Sequence, residues 1–198
     1  MKTVLITLGV IAAIVLGVVL YGVGAYNRLV NQSQAVDAQW AQVQNVYQRR
    51  ADLIPNLVNT VSGAANFEKS TLTAVTNARA SVGRVSIDPN KAPTDASQLA
   101  AFDAAQGQLS SALSRLLVVS ERYPDLKATS NFQSLQAQLE GTENRISVER
   151  GRFNEAVQVY NSAVRQFPTV LFAGVFGYQP RAYFAATPGA DRPPEVKF

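Results

Sequence analysis

The sequence predicts an all-α protein: an N-terminal transmembrane helix, an antiparallel up-and-down four-helix bundle, and an aromatic C-terminal tail. Three observations carry this. There is no charge between Lys2 and Arg28, and residues 4–23 are Val, Leu, Ile, Ala and Gly broken only by Thr7 and Tyr21. Beyond that run, apolar residues recur three and four apart, which is the helical period. The whole 198-residue chain is 47% hydrophobic and 16% charged, against about 25% charged in ordinary soluble domains. The excess of apolar residues needs a location, and residues 4–23 hold most of it. The expected boundaries are an anchor at 1–26, a helical bundle at 27–168 and a tail at 169–198.

The anchor follows from length. About 20 residues rising 1.5 Å each cross a hydrocarbon core of about 30 Å. A cleaved secretory signal is the alternative, with Val23-Gly24-Ala25 as its cleavage site, but the apolar stretch of such a signal ordinarily has about 7–15 residues. Tyr21 and Tyr26 stand where interfacial aromatics belong. Gly9, Ala13 and Gly17 share one face at four-residue spacing. Such a stripe lets two helices approach closely and is the candidate oligomer contact, with plain apolar filler as the alternative. Lys2 and Arg28 give the positive-inside rule little to count, so the side of the membrane that carries the bundle is left open.

A first seam runs through Leu29, Val36, Trp40, Val43 and Tyr47 and meets Arg49 and Arg50. A second continues through Leu53, Leu57, Val61, Ala65, Leu72, Val75 and Val82. Two arginines suit a helix C-terminus, and Asp52 with Pro55 suits the first turn of the next helix. A tight turn is therefore expected near Ala51, with one kinked helix over residues 27–84 as the alternative. Residues 85–94 contain Asp88-Pro89-Asn90 and Pro93, which is turn chemistry. Asp95 with Gln98 reads as a capping box opening a helix with the seam Leu99, Phe102, Leu109, Leu113 and Leu116, ending near Tyr123-Pro124. Ser130 with Gln133 repeats the device. Its helix carries Phe132, Leu139, Ile146, Phe153, Val157, Tyr160, Val164 and Phe167 and stops at Pro168. Segments of similar length joined by short loops make an up-and-down bundle. After Pro168 come Leu171, Phe172, Phe176, Tyr178, Tyr183 and Phe184, interleaved with Gly174, Gly177 and Pro180. These aromatics are expected to fold back over the bundle, or else to meet a membrane surface or another subunit. Pro188, Pro193 and Pro194 read as an extended end.

Arg50, Glu143 and Arg150 occupy seam positions where an apolar residue belongs. An unpaired buried charge costs several kcal/mol, so such groups pair or reach solvent. The expectation is an interhelical polar layer of Arg49, Arg50, Asp52, Glu143 and Arg150, with Asn144, Arg145 and Glu149 as further partners. Its role is to fix helix register, with a functional polar pocket as the alternative. Asn154, Tyr160 and Asn161 interrupt the last apolar seam and are expected to satisfy buried backbone groups.

The sequence contains neither Cys nor His. This removes Cys nucleophiles, His acid/base chemistry, Cys/His zinc sites and the Glu-x-x-His pattern of bundle di-iron centres. There is no P-loop or G-x-S-x-G elbow, and Gly22-x-Gly24 lies in the anchor. No catalytic, cofactor-binding or metal-ligating residue is expected, and no cofactor. The net charge of +4 is spread along the chain rather than gathered in a stripe, so nucleic acid is not an expected partner. The reading that remains is a non-enzymatic, membrane-anchored scaffold that contacts the lipid bilayer and self-assembles or binds other proteins. A lipid-contacting or membrane-shaping module is the alternative.

Several stretches resemble the LemA family of bacterial membrane-anchored proteins: Trp40 followed by Gln48-Arg49-Arg50-Ala51-Asp52-Leu53-Ile54-Pro55-Asn56-Leu57-Val58, then Tyr123-Pro124-Asp125-Leu126-Lys127-Ala128, Glu143-Asn144-Arg145-Ile146, and Phe153-Asn154 through Tyr160-Asn161 to Phe167-Pro168. The resemblance covers roughly residues 1–184 in order and spacing. It implies a short N-terminal end, one membrane span and a helical bundle. That places the chain in the bacterial inner membrane as a single-pass protein; the expected partners, a homo-oligomer or membrane and envelope proteins, follow instead from the anchor, the seams and the lack of catalytic residues. It brings no reaction with it, and nothing is carried onto residues 85–94 or the proline-rich end.

Overall fold

The computed structural model describes residues 2–64, 67–85 and 87–185, and every regular element among them is a helix. Helix α1, Lys2–Ser62, runs unbroken for 61 residues. The expected turn near Ala51 is absent. The buried positions Tyr47, Arg50, Ile54, Leu57 and Val61 continue in phase through it, so the seam itself favours one helix over two. The alternative of one helix reaching residue 84 fails as well, because α1 ends at Ser62 with Gly63 following and α2 begins afresh as Lys69–Arg84. Ala65, counted in the second seam, lies outside the described residues.

Proline inside a helix strands the carbonyl four residues earlier. Here Pro55 strands the carbonyl of Ala51, and Arg79 Nε of α2 donates to it at 3.3 Å. A lost helical hydrogen bond thereby becomes a contact between helices.

Helix α3, Ala96–Ser120, starts at the expected cap. Asp95 accepts from the Ser97 backbone N–H at 2.8 Å and from the Ser97 hydroxyl at 2.7 Å. These two bonds, the hydroxyl first, hold the Asp95 carboxyl below the usual carboxylate range. Its preceding loop is tied to α1: Trp40 Nε1 donates to the Asp88 carbonyl at 3.0 Å, and Asp37 Oδ1 accepts from the Ala92 N–H at 3.0 Å. A single turn, α4 (Pro124–Lys127), interrupts the connection to α5 (Ser130–Arg165). The cap of α5 is Thr129, which accepts from Phe132 N at 3.4 Å, rather than Ser130. The helix stops before Phe167, whose ring is 80% exposed instead of completing the seam. Helix α6, Thr169–Val175, is followed by Phe176 and Gly177. The left-handed φ of 74° there suits glycine and turns the chain into the extended tail.

The core forms two clusters. One gathers Leu29, Trp40, Phe102, Phe153, Tyr160 and Phe184 near the apolar end of α1, and the other gathers Leu57, Val61, Leu109, Leu116, Phe132 and Leu139 at the far end. Trp40 lies 5.5 Å from Phe102, 5.6 Å from Phe153 and 6.1 Å from Phe184 between ring centroids. The tail therefore folds back over the helices. Pro188, Pro193 and Pro194 lie outside the described residues.

Candidate functional site: a polar waist and a tail clasp

The two clusters meet at a polar layer. On α1 the first ends at Tyr47 and the second starts at Leu53; on α3 the boundary falls between Phe102 and Leu109, and on α5 between Leu139 and Ile146. Arg50 occupies this gap with 2% exposure. Its Nη1 donates to Ser110 Oγ at 2.7 Å and Glu143 Oε2 at 2.8 Å, while Nη2 donates to Gln106 Oε1 and, at 3.4 Å, to the Gln106 carbonyl. Arg50 Nε is buried without a hydrogen-bond partner. A planar fork with five donors can join three helices in this way, where a lysine ammonium could not match the directions. The helical period explains the placement, since Arg50 and Glu143 fall on the seams of facing helices.

Arg150 lies one heptad further along α5. It grips Asp103 of α3 with two bonds, at 2.8 and 3.3 Å, and its guanidinium sits 4.4 Å from the centroid of the Phe184 ring. Its pair is thus separate from the Arg50–Glu143 pair. Asp103, Gln106 and Ser110 escaped sequence reading because α3 looked like a plain leucine seam; their spacing of three and four was the available signal. Arg49 and Asp52 point away from the layer. Arg49 is exposed, and Asp52 accepts instead from Gln48 Nε2 on the surface at 2.6 Å. Asn144 and Arg145 are exposed too, and Glu149 accepts from Gln39 at 2.7 Å and Arg152 at 2.8 Å.

A groove of about 660 Å³ opens between α3 and α5 over this layer, lined among others by Tyr47, Arg50, Asp103, Glu143 and Arg150. Burial pushes the Tyr47 hydroxyl above the ordinary tyrosine range, opposed by the charges of Arg150 and Arg50. The lining mixes two cations with two anions that neutralise them, which suits a groove that recognises polar and apolar groups together.

The second constellation fastens the tail. Asn161 donates to the Arg181 carbonyl at 2.9 Å and accepts from the Arg181 N–H at 2.8 Å. Asn154 does the same for Phe184, at 3.0 and 2.9 Å. The spacing follows from geometry: seven residues of helix rise about 10.5 Å and three of extended chain about 10 Å. Two asparagines a heptad apart on one face of α5 therefore each take the backbone N–H and carbonyl of one residue of the extended tail, acting as backbone surrogates. Arg181, 8% exposed, crosses to α1 and donates to Asp37 and, at 2.8 Å, to Ser33 Oγ. Tyr160 donates to the Gln179 carbonyl at 2.9 Å. Asp37 thus holds both the loop before α3 and the tail.

The apolar run of α1 is a candidate membrane span by length and composition, and none of its most apolar window is buried by the rest of the chain. Gly9, Ala13 and Gly17 are exposed, and a Cβ added at Gly9 or Gly17 would meet nothing within 4 Å. Gly22 behaves differently: a Cβ there would lie 2.9 Å from the Phe172 ring of α6. Sequence reading stopped at the four-residue stripe and missed this close approach.

Comparison with known proteins gives the family. The model of the LemA family matches residues 39–198, leaving the apolar run outside the matched region. Magnetosome protein MamQ 2 of Paramagnetospirillum magneticum is 25% identical over 187 residues, covering 85% of this chain and 67% of its own. Magnetosome protein MamQ of Magnetospirillum gryphiswaldense shows the same identity and coverage. Protein LemA of Metamycoplasma hominis is 24% identical over 147 residues, or 74% of this chain and 63% of that protein. Since the family match takes in both the Arg50 layer and the asparagine clasp, the chain belongs to the LemA family.

Proposed function

We propose that this chain is a non-enzymatic, single-pass scaffold of the bacterial inner membrane that self-assembles or binds other membrane or envelope proteins. The observation that carries the reading is the continuity of α1. One helix supplies both the exposed apolar run and the spine of both cores. A flexible linker would let a soluble domain tumble on its anchor; an unbroken helix transmits the orientation of the span to everything packed on it. Beyond residue 26, α1 rises about 54 Å, so the groove over the polar layer is presented at a fixed height and angle. At the far end α1, α2, α3 and α5 act as a four-helix bundle.

The groove between α3 and α5 is the docking surface for a protein partner, and Gly9, Ala13 and Gly17 are the contact between copies within the bilayer. The relatives named magnetosome proteins support a role in an organised cellular structure. The experiment is crosslinking in native membranes, followed by mild detergent extraction and sizing of a chain tagged after Phe198. The expected result is a species larger than the monomer that Gly9→Leu with Gly17→Leu diminishes. A strictly monomeric particle without companions overturns the reading, as does turnover by the purified protein that vanishes on replacing one acidic residue.

A further inference from the structure

Helix α6 is apolar on both sides. Its inner side rests on the end of the apolar run of α1: the Phe172 ring covers Gly22 and lies 5.6 Å from the Tyr21 ring, and Thr169 Oγ1 is 3.1 Å from the Tyr21 hydroxyl. Just beyond, the Phe176 ring lies 5.1 Å from Tyr26. Its outer side carries Leu171 and Val175, four residues apart and 62% and 82% exposed, with the exposed Val170 beside them and Phe167, 80% exposed, just ahead of the helix. No charge occurs between Arg165 and Arg181. A contiguous stripe of this kind is rare on the water-facing surface of a soluble monomer, and leaving it wet forgoes about 25 cal/mol for each Å² of apolar area.

Height decides what covers it. The apolar run ends at Val23, and the ring of Phe172 meets α1 one residue earlier. Each residue of helix rises about 1.5 Å, so α6 is fastened where hydrocarbon gives way to headgroups. Val18 and Val19 of α1, about one turn before this level, are exposed as well, and lipid covers them if the run is a span. Arg28 and Arg165, both exposed, flank this level and suit anionic headgroups.

We propose that α6 lies in the surface of the bilayer beside the span, with Phe167, Leu171 and Val175 among the ends of the acyl chains. The chain then meets the membrane through two elements rather than one. A lone span leaves rotation about its own axis free. A second contact fixed to one side of it sets which face of the bundle looks along the membrane, and the asparagine clasp that follows α6 passes this constraint to α5. The inference rests on reading residues 4–23 as a span.

The absence of cysteine makes single-site labelling direct. The full chain carrying Leu171→Cys, Val175→Cys, Val15→Cys or Val118→Cys is labelled with an environment-sensitive fluorophore. Each is reconstituted into phosphatidylcholine and phosphatidylglycerol vesicles with or without nitroxide-bearing lipid. Val15 lies within the apolar run, and Val118 is an exposed position on α3 far from it. Labels at residues 171 and 175 are expected to be quenched by nitroxide lipid to within about twofold of residue 15, as for a helix buried 5–10 Å into the headgroup and acyl boundary. They are also expected to be shielded from iodide, whereas residue 118 shows the reverse. Iodide quenching at 171 and 175 equal to that at 118 overturns the proposal. Shielding from both quenchers also overturns it, because a second protein copy is then the cover. Lipid quenching at 15 without quenching at 175 sinks this inference alone, and its absence at both sinks the span as well.

Discussion

The two ends of the core solve the same packing problem with different side chains. The far cluster is largely aliphatic, drawing Leu57, Leu109, Leu116 and Leu139 from α1, α3 and α5, with Val75 and Ala78 from α2. The cluster nearest the apolar run of α1 takes nothing buried from α2. In its place come Ala92 from the loop and Phe184 from the tail, set among Trp40, Phe102, Phe153 and Tyr160. Where α2 is missing, an extended segment stands in, and large rings supply much of the packing. An extended segment cannot satisfy its own backbone as a helix does, which is why Asn154 and Asn161 are needed at this end.

Removing one side chain from each end separates the two solutions. Phe184→Ala is expected to destabilise by about 3–5 kcal/mol, and Leu116→Ala by about 2–5 kcal/mol, both read by chemical denaturation. Only the first should change the emission of the single Trp40, because Phe184 stacks on it while Leu116 belongs to the other cluster. An unchanged emission maximum in Phe184→Ala would show that the tail does not seal that end.

The boundary between the ends is tested at Arg50. Arg50→Ala leaves Gln106 and Ser110 without their donor and opens a void, costing about 3 kcal/mol. Arg50→Met fills the void without the charge, so a cost below about 1.5 kcal/mol is expected. Glu143 is half-exposed, and Glu143→Gln should cost about 1 kcal/mol or less. Equal losses for all three variants would break the account of the layer as one buried cation with several acceptors.

Much of this was legible in the sequence, for reasons that can be named. The apolar seams of α3 and α5 are unambiguous because one residue type repeats on one face, and Arg50, Glu143 and Arg150 stand out against that regularity. The unbroken course of α1 was misread because Arg49, Arg50, Asp52 and Pro55 each carry a local signal for a helix end. Those signals concern isolated helices. Burial of the continuous seam and the bond from Arg79 to the Ala51 carbonyl override them, and neither is local. The pairing of Asn154 with Phe184 and of Asn161 with Arg181 was equally hidden, since only one side of each bond has a periodic pattern. The asparagines could be flagged; their partners could not. The partners of Arg150 illustrate the same limit, for Asp103 is one acidic residue among several until α3 is placed beside α5.

The clasp offers a finer cut at the same end. Asn161→Ala removes one donor and one acceptor facing the buried Arg181 backbone, which should cost about 2 kcal/mol. The loss should be local: amide exchange at residues 179–185 is expected to accelerate while the amides of α3 stay protected. Asn154→Ala should act in the same direction and less strongly, because the Phe184 ring still packs against Trp40 and Phe153. Exchange that rises evenly through both clusters would show that the tail is not a separable closure.

The smallest effect is also the most selective, because it depends on pH. Tyr47 lies at the edge of the polar layer, its ring centroid 5.1 Å from that of Phe102, and burial raises its hydroxyl above the ordinary value despite Arg150 and Arg50 nearby. The folded chain therefore keeps this proton at a pH where the unfolded chain, titrating near 10, has begun to release it. The contribution is fully present below about pH 10 and is lost as pH rises through the folded value. Tyr47→Phe keeps the ring and removes the titration. At pH 8 the variant should be less stable than the parent by about 1 kcal/mol, the worth of the hydrogen bond between the Tyr47 hydroxyl and Arg150. That gap should close above about pH 10, as the parent alone carries the ionisation of a buried phenol. Comparing the pair cancels the other tyrosines and the lysines, which titrate in both. A gap that stays constant from pH 8 to 11 would mean that the Tyr47 hydroxyl is open to water, and the aromatic end would then reach no further along α1 than Val43.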